Sequence, residues 1–313
     1  MTSDDNNPAG AGPVKAQSSD AQDRESDSAL DDAPPPASDP AGAAWQPPQG
    51  PPPSPQHRKE IPEDLRVPWG WPEVGLFVIL GVIASVVVTW GLAEMTVWFF
   101  GAKSTDVFGS TMSTAKSVVV LVSQALLDGG AILYLYLILL NRTSAPFWKS
   151  IGWREMRPGM GTIRSSATRF LAGGAMLALV VTFAGSFFNS KQALPIEELL
   201  KARVSVLLFA ILGVLVAPLV EETIFRGFLY PVIARRLGIT AGIAITGTLF
   251  GLMHAAQLWG GWGQIGLLIL VGIVLTWVRA RTGTMAASYF VHLGYNGLQL
   301  IGFLIFLISG ARH

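Results

Sequence analysis

From Val74 onward the chain is a succession of long apolar runs separated by short polar or basic stretches, whereas the residues before Pro68 show no apolar period. Each run approaches the twenty or so residues that a helix needs to cross roughly 30 Å of hydrocarbon. Seven runs can be bounded, at 74–99, 117–140, 169–188, 204–220, 239–256, 263–278 and 286–309. Backbone polar groups in lipid have to be satisfied within each segment, so the pattern predicts an all-α, polytopic membrane helix bundle of about seven to eight spans. Two stretches outside the runs suit the headgroup layer: 147–154, with Trp148 and Trp153 beside Lys149 and Arg154, and 196–200, with Glu197 and Glu198. Small residues four apart, Gly238 with Gly242 and Gly247 with Gly251, predict close helix contact along the fifth run.

Composition divides the chain. Half of the 313 residues are hydrophobic and only 14% are charged, against roughly a quarter charged in soluble domains. Up to Arg66 there are 12 acidic and 5 basic residues, while the remainder has 9 acidic and 17 basic. Three regions are expected: a disordered, cytoplasmic Pro/Asp/Ser-rich tail over 1–70, N-terminal membrane helices with interfacial segments over 71–200, and a catalytic membrane core over 201–310. Runs such as Pro34–Pro36 and Pro51–Pro53 suit an extended tether better than a dedicated polyproline ligand. The tail lacks a basic start, short apolar run and small-residue cleavage site, so it is not read as a secretory signal. Arg142, Lys149, Arg154, Arg157, Arg164 and Arg169 mark the loop 141–169 as cytoplasmic. Alternation then puts the tail, the stretch around Arg226, Arg235 and Arg236, and Arg279 with Arg281 on the same side, and 257–262 outside. An integral protein of the cell (inner) membrane with its N-terminus in the cytoplasm is expected, with the bilayer and a membrane-associated peptide or protein as partners and no nucleic acid.

Ionisable groups within membrane spans cost a few kcal/mol each on insertion scales, so each needs a reason. The fourth run leads into Ala217-Pro218-Leu219-Val220-Glu221-Glu222-Thr223-Ile224-Phe225-Arg226-Gly227, which places two carboxylates at or just inside the cytoplasmic end of a helix. Glu222 and Arg226, four apart, share a helical face and can pair; Glu221 lies about 100° round and stays unpaired. Pro218 removes a backbone donor and can kink the helix, exposing carbonyls. The fifth run carries Phe250 and His254, and the seventh His292 and Asn296, again four apart. A carboxylate and an imidazole converging in the bundle can activate a water, with His and Asn donors stabilising an oxyanion. Asp128, in the second run, has no second membrane aspartate for an aspartyl dyad and is read as structural.

Other hydrolytic devices are absent from the letters. With no Cys there is no thiol nucleophile or thiolate zinc site, and neither His-Glu-x-x-His nor Gly-x-Ser-x-Gly occurs. Three ordered motifs remain: Glu221-Glu222-x-x-x-Arg226, Phe250-x-x-x-His254 and His292-x-x-x-Asn296. Together they resemble the CPBP membrane proteases, which include the type II CAAX prenyl endopeptidases and bacteriocin-processing or Abi proteins. The resemblance covers roughly 204–301.

That resemblance implies an intramembrane endopeptidase open toward the cytoplasm. In its terms Glu221 is the general base on the attacking water, assisted by His254; His292 and Asn296 stabilise the oxyanion; Glu222, Arg226 and Phe250 support the site. No cofactor is certain. The family has also been described as metal-dependent, which keeps open a divalent metal such as zinc at Glu221, His254 and His292, although Asn is a poor zinc ligand and the familiar zinc spacing is absent. Substrates of the family include prenylated proteins and peptide leaders, and nothing in this sequence chooses between them. The alternative from another class is a non-catalytic membrane scaffold or immunity-type factor of the same fold, against which stands the unpaired Glu221. A proton-coupled transporter fits less well, because corresponding halves show no repeated pair of broken helices.

Overall fold

The computed structural model describes residues 61–109, 113–140, 142–156, 163–188, 206, 208 and 210–310. Among them every regular element is helical: α1 (Trp71–Phe100), α2 (Ser104–Phe108), α3 (Thr114–Leu140), α4 (Phe147–Ser150), α5 (Ile163–Gly185), a π-helical stretch (Leu212–Val216), α6 (Ala217–Glu222), a second π-helical stretch (Thr223–Leu229), α7 (Tyr230–Leu237), α8 (Ile239–Met253), α9 (Trp262–Thr282) and α10 (Met285–Gly310). Four of the described helices are long and apolar enough to cross a membrane, namely α1, α3, the 166–185 part of α5, and α9. The all-helical class read from the pattern is therefore the one observed among these residues. The proline-rich tail up to residue 60, the 196–200 segment and residues 204, 205, 207 and 209 of the fourth run lie outside the described residues.

Chain chemistry sets the helix ends. Gly70 precedes α1, its N–H donates to the Glu73 carboxylate at 2.8 Å, and Pro72 occupies the first turn, where its missing N–H costs nothing. Gly101 closes α1 in the left-handed conformation at φ +65°, as Gly283 closes α9 at +70°. Most of α1 beyond its first turn is exposed apolar surface, including Val82, Val86, Val87 and Trp90, which suits a face against lipid.

Small residues bring the remaining helices together. At Gly174 of α5 an added Cβ would meet the Val291 carbonyl, and at Gly294 of α10 the Leu171 carbonyl, so these helices touch backbone to backbone. Gly247 and Gly251 of α8 abut Ile273 and Ile269 of α9, as the four-residue spacing predicts. Gly238 instead makes the turn between α7 and α8 at φ +89°, and Gly242 packs on Ala234 across it. Replacing Gly294 with Ala is expected to push α5 off α10 and lower stability by about 1–3 kcal/mol. Unfolding in detergent micelles checks this; an unchanged midpoint would mean that the two helices are not in backbone contact.

The segment before α1 acts as a strap. Leu65 and Trp69 are buried; the Trp69 indole N–H donates to the Phe228 carbonyl at 2.9 Å and its ring stacks on Phe228. Arg235 donates to the carbonyls of Val67 (3.0 Å) and Trp69 (2.9 Å), and Arg279 pairs with Asp64 at 2.8 Å. The 147–154 segment is tied to the α9–α10 turn, where the Met285 N–H donates to the Gly152 carbonyl at 2.9 Å and the Thr284 hydroxyl to the Arg154 carbonyl at 2.7 Å. Strap and segment thus fix the ends of α7, α9 and α10 relative to one another. Trp69→Ala is expected to cost about 3–5 kcal/mol, whereas deletion of residues 1–57, which removes none of these contacts, leaves the unfolding midpoint in place. A full-chain midpoint indifferent to Trp69→Ala would show the strap to be decoration.

Candidate active site

The helix that bears Glu221 and Glu222 does not end beside them. It continues through the second π-helical stretch into α7 and stops at Leu237, which corrects the expectation that the carboxylates sit at a helix end. A π-helical stretch is a recurrent feature of functional sites, because the widened turn re-aims the side chains that follow. Here it contains Arg226, fully buried and therefore not one of the loop cations by which orientation is read.

Arg226 is held on three sides. Its Nη1 donates to Glu222 Oε1 at 3.0 Å, its Nη2 to the Gly272 carbonyl at 2.9 Å, and its Nε to Thr276 Oγ1 at 3.2 Å. Its guanidinium also lies 4.5 Å from the centre of the Phe250 ring. Glu222 is equally buried, and the pair anticipated from the four-residue spacing is present. Gly272 and Thr276 carry no sequence signal, since glycines and threonines are ordinary in membrane helices. Gly272 precedes Thr282, the last residue of α9, by ten residues, so the pair lies about 15 Å along the helix from its arginine-bearing end at 1.5 Å per residue.

His292, buried on α10, presents Nδ1 to Glu222 Oε1 at 3.0 Å and Nε2 to Glu221 Oε2 at 3.6 Å. A carboxylate accepts, so Nδ1 carries a proton, and Nε2 faces Glu221. His254 repeats this arrangement from the other side: Nδ1 is 2.9 Å from the Phe250 carbonyl and Nε2 is 3.8 Å from Glu221 Oε1. His254 itself caps α8 rather than extending it, so the expected run to 256 stops at Met253 and the chain turns beyond it. Phe250 touches both imidazoles, at centroid distances of 5.0 Å and 5.6 Å, and packs edge-on against Phe225. One aromatic ring thus fixes Arg226, His254 and His292 together.

Glu221 differs from its neighbour. Neither imidazole is within hydrogen-bond distance, and its side chain is 18% exposed where that of Glu222 is 0%. The unpaired carboxylate read from helical phase is the one flanked by two imidazole nitrogens and reachable from outside. Gaps of 3.6 Å and 3.8 Å are of a size that a shared water can bridge.

Asn296, one turn along α10 from His292, bonds to a different element. Its Nδ2 donates to the Gly213 carbonyl at 2.8 Å. Gly213 lies in the first π-helical stretch, where each carbonyl seeks an N–H five residues on; for Gly213 that residue is Pro218, which has none. The proline therefore frees the carbonyl that Asn296 occupies, a bond that leaves one amide hydrogen of Asn296 for other use. Among the described residues no group of three His, Cys, Asp or Glu side chains is disposed to hold a metal ion.

The family comparison falls on the same stretch. A family model described as type II CAAX prenyl endopeptidase Rce1-like matches residues 203–298, less than a third of the chain but all three motifs. The chain is also 29% identical over 158 residues to an uncharacterized 24.3 kDa protein of Escherichia coli, covering 48% of this chain and 70% of that one. No solved structure matches. A Rce1-like type II CAAX prenyl endopeptidase domain, of the CPBP family, therefore occupies residues 203–298 with all three motifs inside it, in a chain whose described residues include four helices long and apolar enough to cross a membrane.

Proposed function

We infer that the chain is a glutamate-dependent intramembrane endopeptidase that hydrolyses a peptide bond of a membrane-associated substrate near the cytoplasmic face. The carrying observation is the carboxylate of Glu221, partly exposed and flanked by His254 Nε2 and His292 Nε2, on a helix otherwise locked by Glu222 and Arg226. Water held among these groups gives a proton to Glu221 as its oxygen attacks the scissile carbonyl carbon. The resulting oxyanion is met by His292, whose Nε2 faces Glu221 while Nδ1 donates to Glu222, and by the remaining amide hydrogen of Asn296. When the C–N bond breaks, the proton on Glu221 passes to the leaving amine, so one water is consumed and a carboxylate and an amine are released. His254, steadied by the Phe250 carbonyl, positions the water beside Glu221.

Orientation follows from charge: the α9 end with Arg279 and Arg281, and the loop with Arg142, Lys149 and Arg154, face the cytoplasm, in the cell (inner) membrane. The tail over residues 1–70 is then a cytoplasmic tether, 71–200 the N-terminal membrane helices, and 201–310 the catalytic core. The protein reconstituted into liposomes, given a library of peptides anchored by an apolar helix in ¹⁸O-labelled water, is expected to release fragments with one labelled oxygen at each new C-terminus. Fragments without label, or none, would return the chain to the scaffold reading.

A further inference from the structure

One buried cation lies outside the chemistry above. Arg279, in the last turn of α9, is fully buried, and its guanidinium is only partly engaged. Nη1 donates to Asp64 Oδ2 at 2.8 Å and Nη2 to the Asp64 carbonyl at 3.3 Å, while Nε has no hydrogen-bond partner among the described residues. Buried donors are nearly always met by protein, water or a ligand, so an orphan on a guanidinium calls for a partner. Nε lies beside Gly152, where an added Cβ would sit 3.7 Å from Nε and 3.3 Å from Nη2, and where the backbone holds φ +100°. Gly152 and Arg279 are both walls of a cavity of about 20 Å³, with Ile151, Asp64, Arg66 and Arg154 among the others.

That cavity is basic. Three arginines line it against one aspartate, a balance of +2. Asp64 is matched by Arg279, which leaves Arg66 and Arg154 as the surplus. Arg154 reaches Glu63 across 3.3 Å, an exposed pair of little strength. Arg66 donates Nε to the Ile61 carbonyl at 2.9 Å and makes no ion pair among the described residues. Arg66 is exposed and the Arg154 side chain is 36% exposed, so the surplus charge stands at the mouth of the cavity with the buried Nε at its floor. The wall from Ile151 to Arg154 belongs to the segment that carries Trp148 and Trp153, the aromatic and basic mixture of the headgroup layer. A space of this size takes one oxygen atom. A water there would satisfy Nε but leave the charge at the mouth unanswered. We propose that this cavity binds a phosphate oxyanion supplied by an anionic membrane lipid, with one oxygen at Arg279 Nε and the others held by Arg66 and Arg154. Basic pockets between membrane helices take anionic headgroups, and guanidinium groups match phosphate oxygens in geometry and charge. Strap, 147–154 segment and α9 meet at this point, so the bound phosphate tightens the clamp on the helix ends. The inference does not depend on the hydrolytic reading.

The test uses the full chain in phosphatidylcholine nanodiscs containing rising fractions of phosphatidylglycerol, with the unfolding midpoint as readout. A parallel arm in neutral detergent micelles adds inorganic phosphate or chloride at constant ionic strength. Wild type is expected to gain a saturable rise in midpoint with phosphatidylglycerol. Arg66→Gln and Arg154→Gln, each on an exposed side chain, are expected to raise the half-saturating fraction about fivefold or more. Arg281→Gln removes the same charge from the same end of α9 without lining the cavity, and is expected to titrate like wild type. If inorganic phosphate alone reproduces the rise, and the two variants at the mouth weaken it, the site stands with the free anion as its source. No rise with either form of phosphate means that the cavity holds water, and overturns the inference. Chloride acting as well as phosphate also overturns it, as does an Arg281→Gln effect equal to those of the other two, which is the mark of diffuse surface charge.

Discussion

Glu221→Gln is expected to reduce peptide hydrolysis by about 10²–10⁴-fold, the usual contribution of a positioned general base, without lowering the amount of protein inserted in the membrane. Both halves of that expectation come from geometry. Activity falls because an amide cannot take the water's proton, although it keeps the shape and position of the carboxylate between His254 Nε2 and His292 Nε2. Stability holds because Glu221, unlike Glu222, makes no hydrogen bond of 3.5 Å or less to those imidazoles, so the substitution strands no partner. Rates in liposomes and unfolding in detergent, measured on the same preparation, separate the two. A Gln variant that hydrolyses at the wild-type rate would remove Glu221 from the chemistry.

Glu222→Ala is expected to act on the fold itself. It removes the carboxylate to which Arg226 Nη1 and His292 Nδ1 both donate at 3.0 Å, leaving a fully buried guanidinium without a counter-charge. Breaking a buried pair from one side costs about 3–5 kcal/mol, a large share of the 5–15 kcal/mol that holds a typical domain together. Activity should vanish with it, since His292 loses the acceptor that aims its Nε2 at Glu221. Removing both charges, as Glu222→Ala with Arg226→Leu, should recover part of the stability and none of the activity. An unfolding midpoint that survives Glu222→Ala would show that Gly272 and Thr276 suffice to hold Arg226.

How much of this could be read from letters depends on the range of the interaction. Helical class follows from runs too long and apolar for any other backbone solution, and the Glu222–Arg226 pair follows from four-residue spacing alone. The same reasoning sets Glu221 apart by its helical phase, and in the structure neither imidazole lies within 3.5 Å of it. Spacing fails where the helix is not regular. The π-helical stretches around Pro218 and Arg226 carry the chain on to Leu237 beyond the expected end, and the Gly213 carbonyl freed by Pro218 meets Asn296, 83 residues away in sequence. Nor does a pattern of apolar positions show that Gly174 and Gly294 lie on facing backbones, because closeness is a property of two helices and periodicity of one. Thr276 and Gly272 are hidden for the same reason: their bonds to Arg226 span 50 and 46 residues.

A census of protein termini in cells tests the central claim most directly and needs no prior choice of substrate. Cells carrying wild type are compared with cells carrying Glu221→Gln at equal membrane abundance, against a background lacking either. A discrete set of new termini near membrane-anchored segments, present with wild type and absent with Glu221→Gln, is the predicted result. Identical termini in the two, with both proteins inserted to the same level, would contradict proteolysis centred on Glu221.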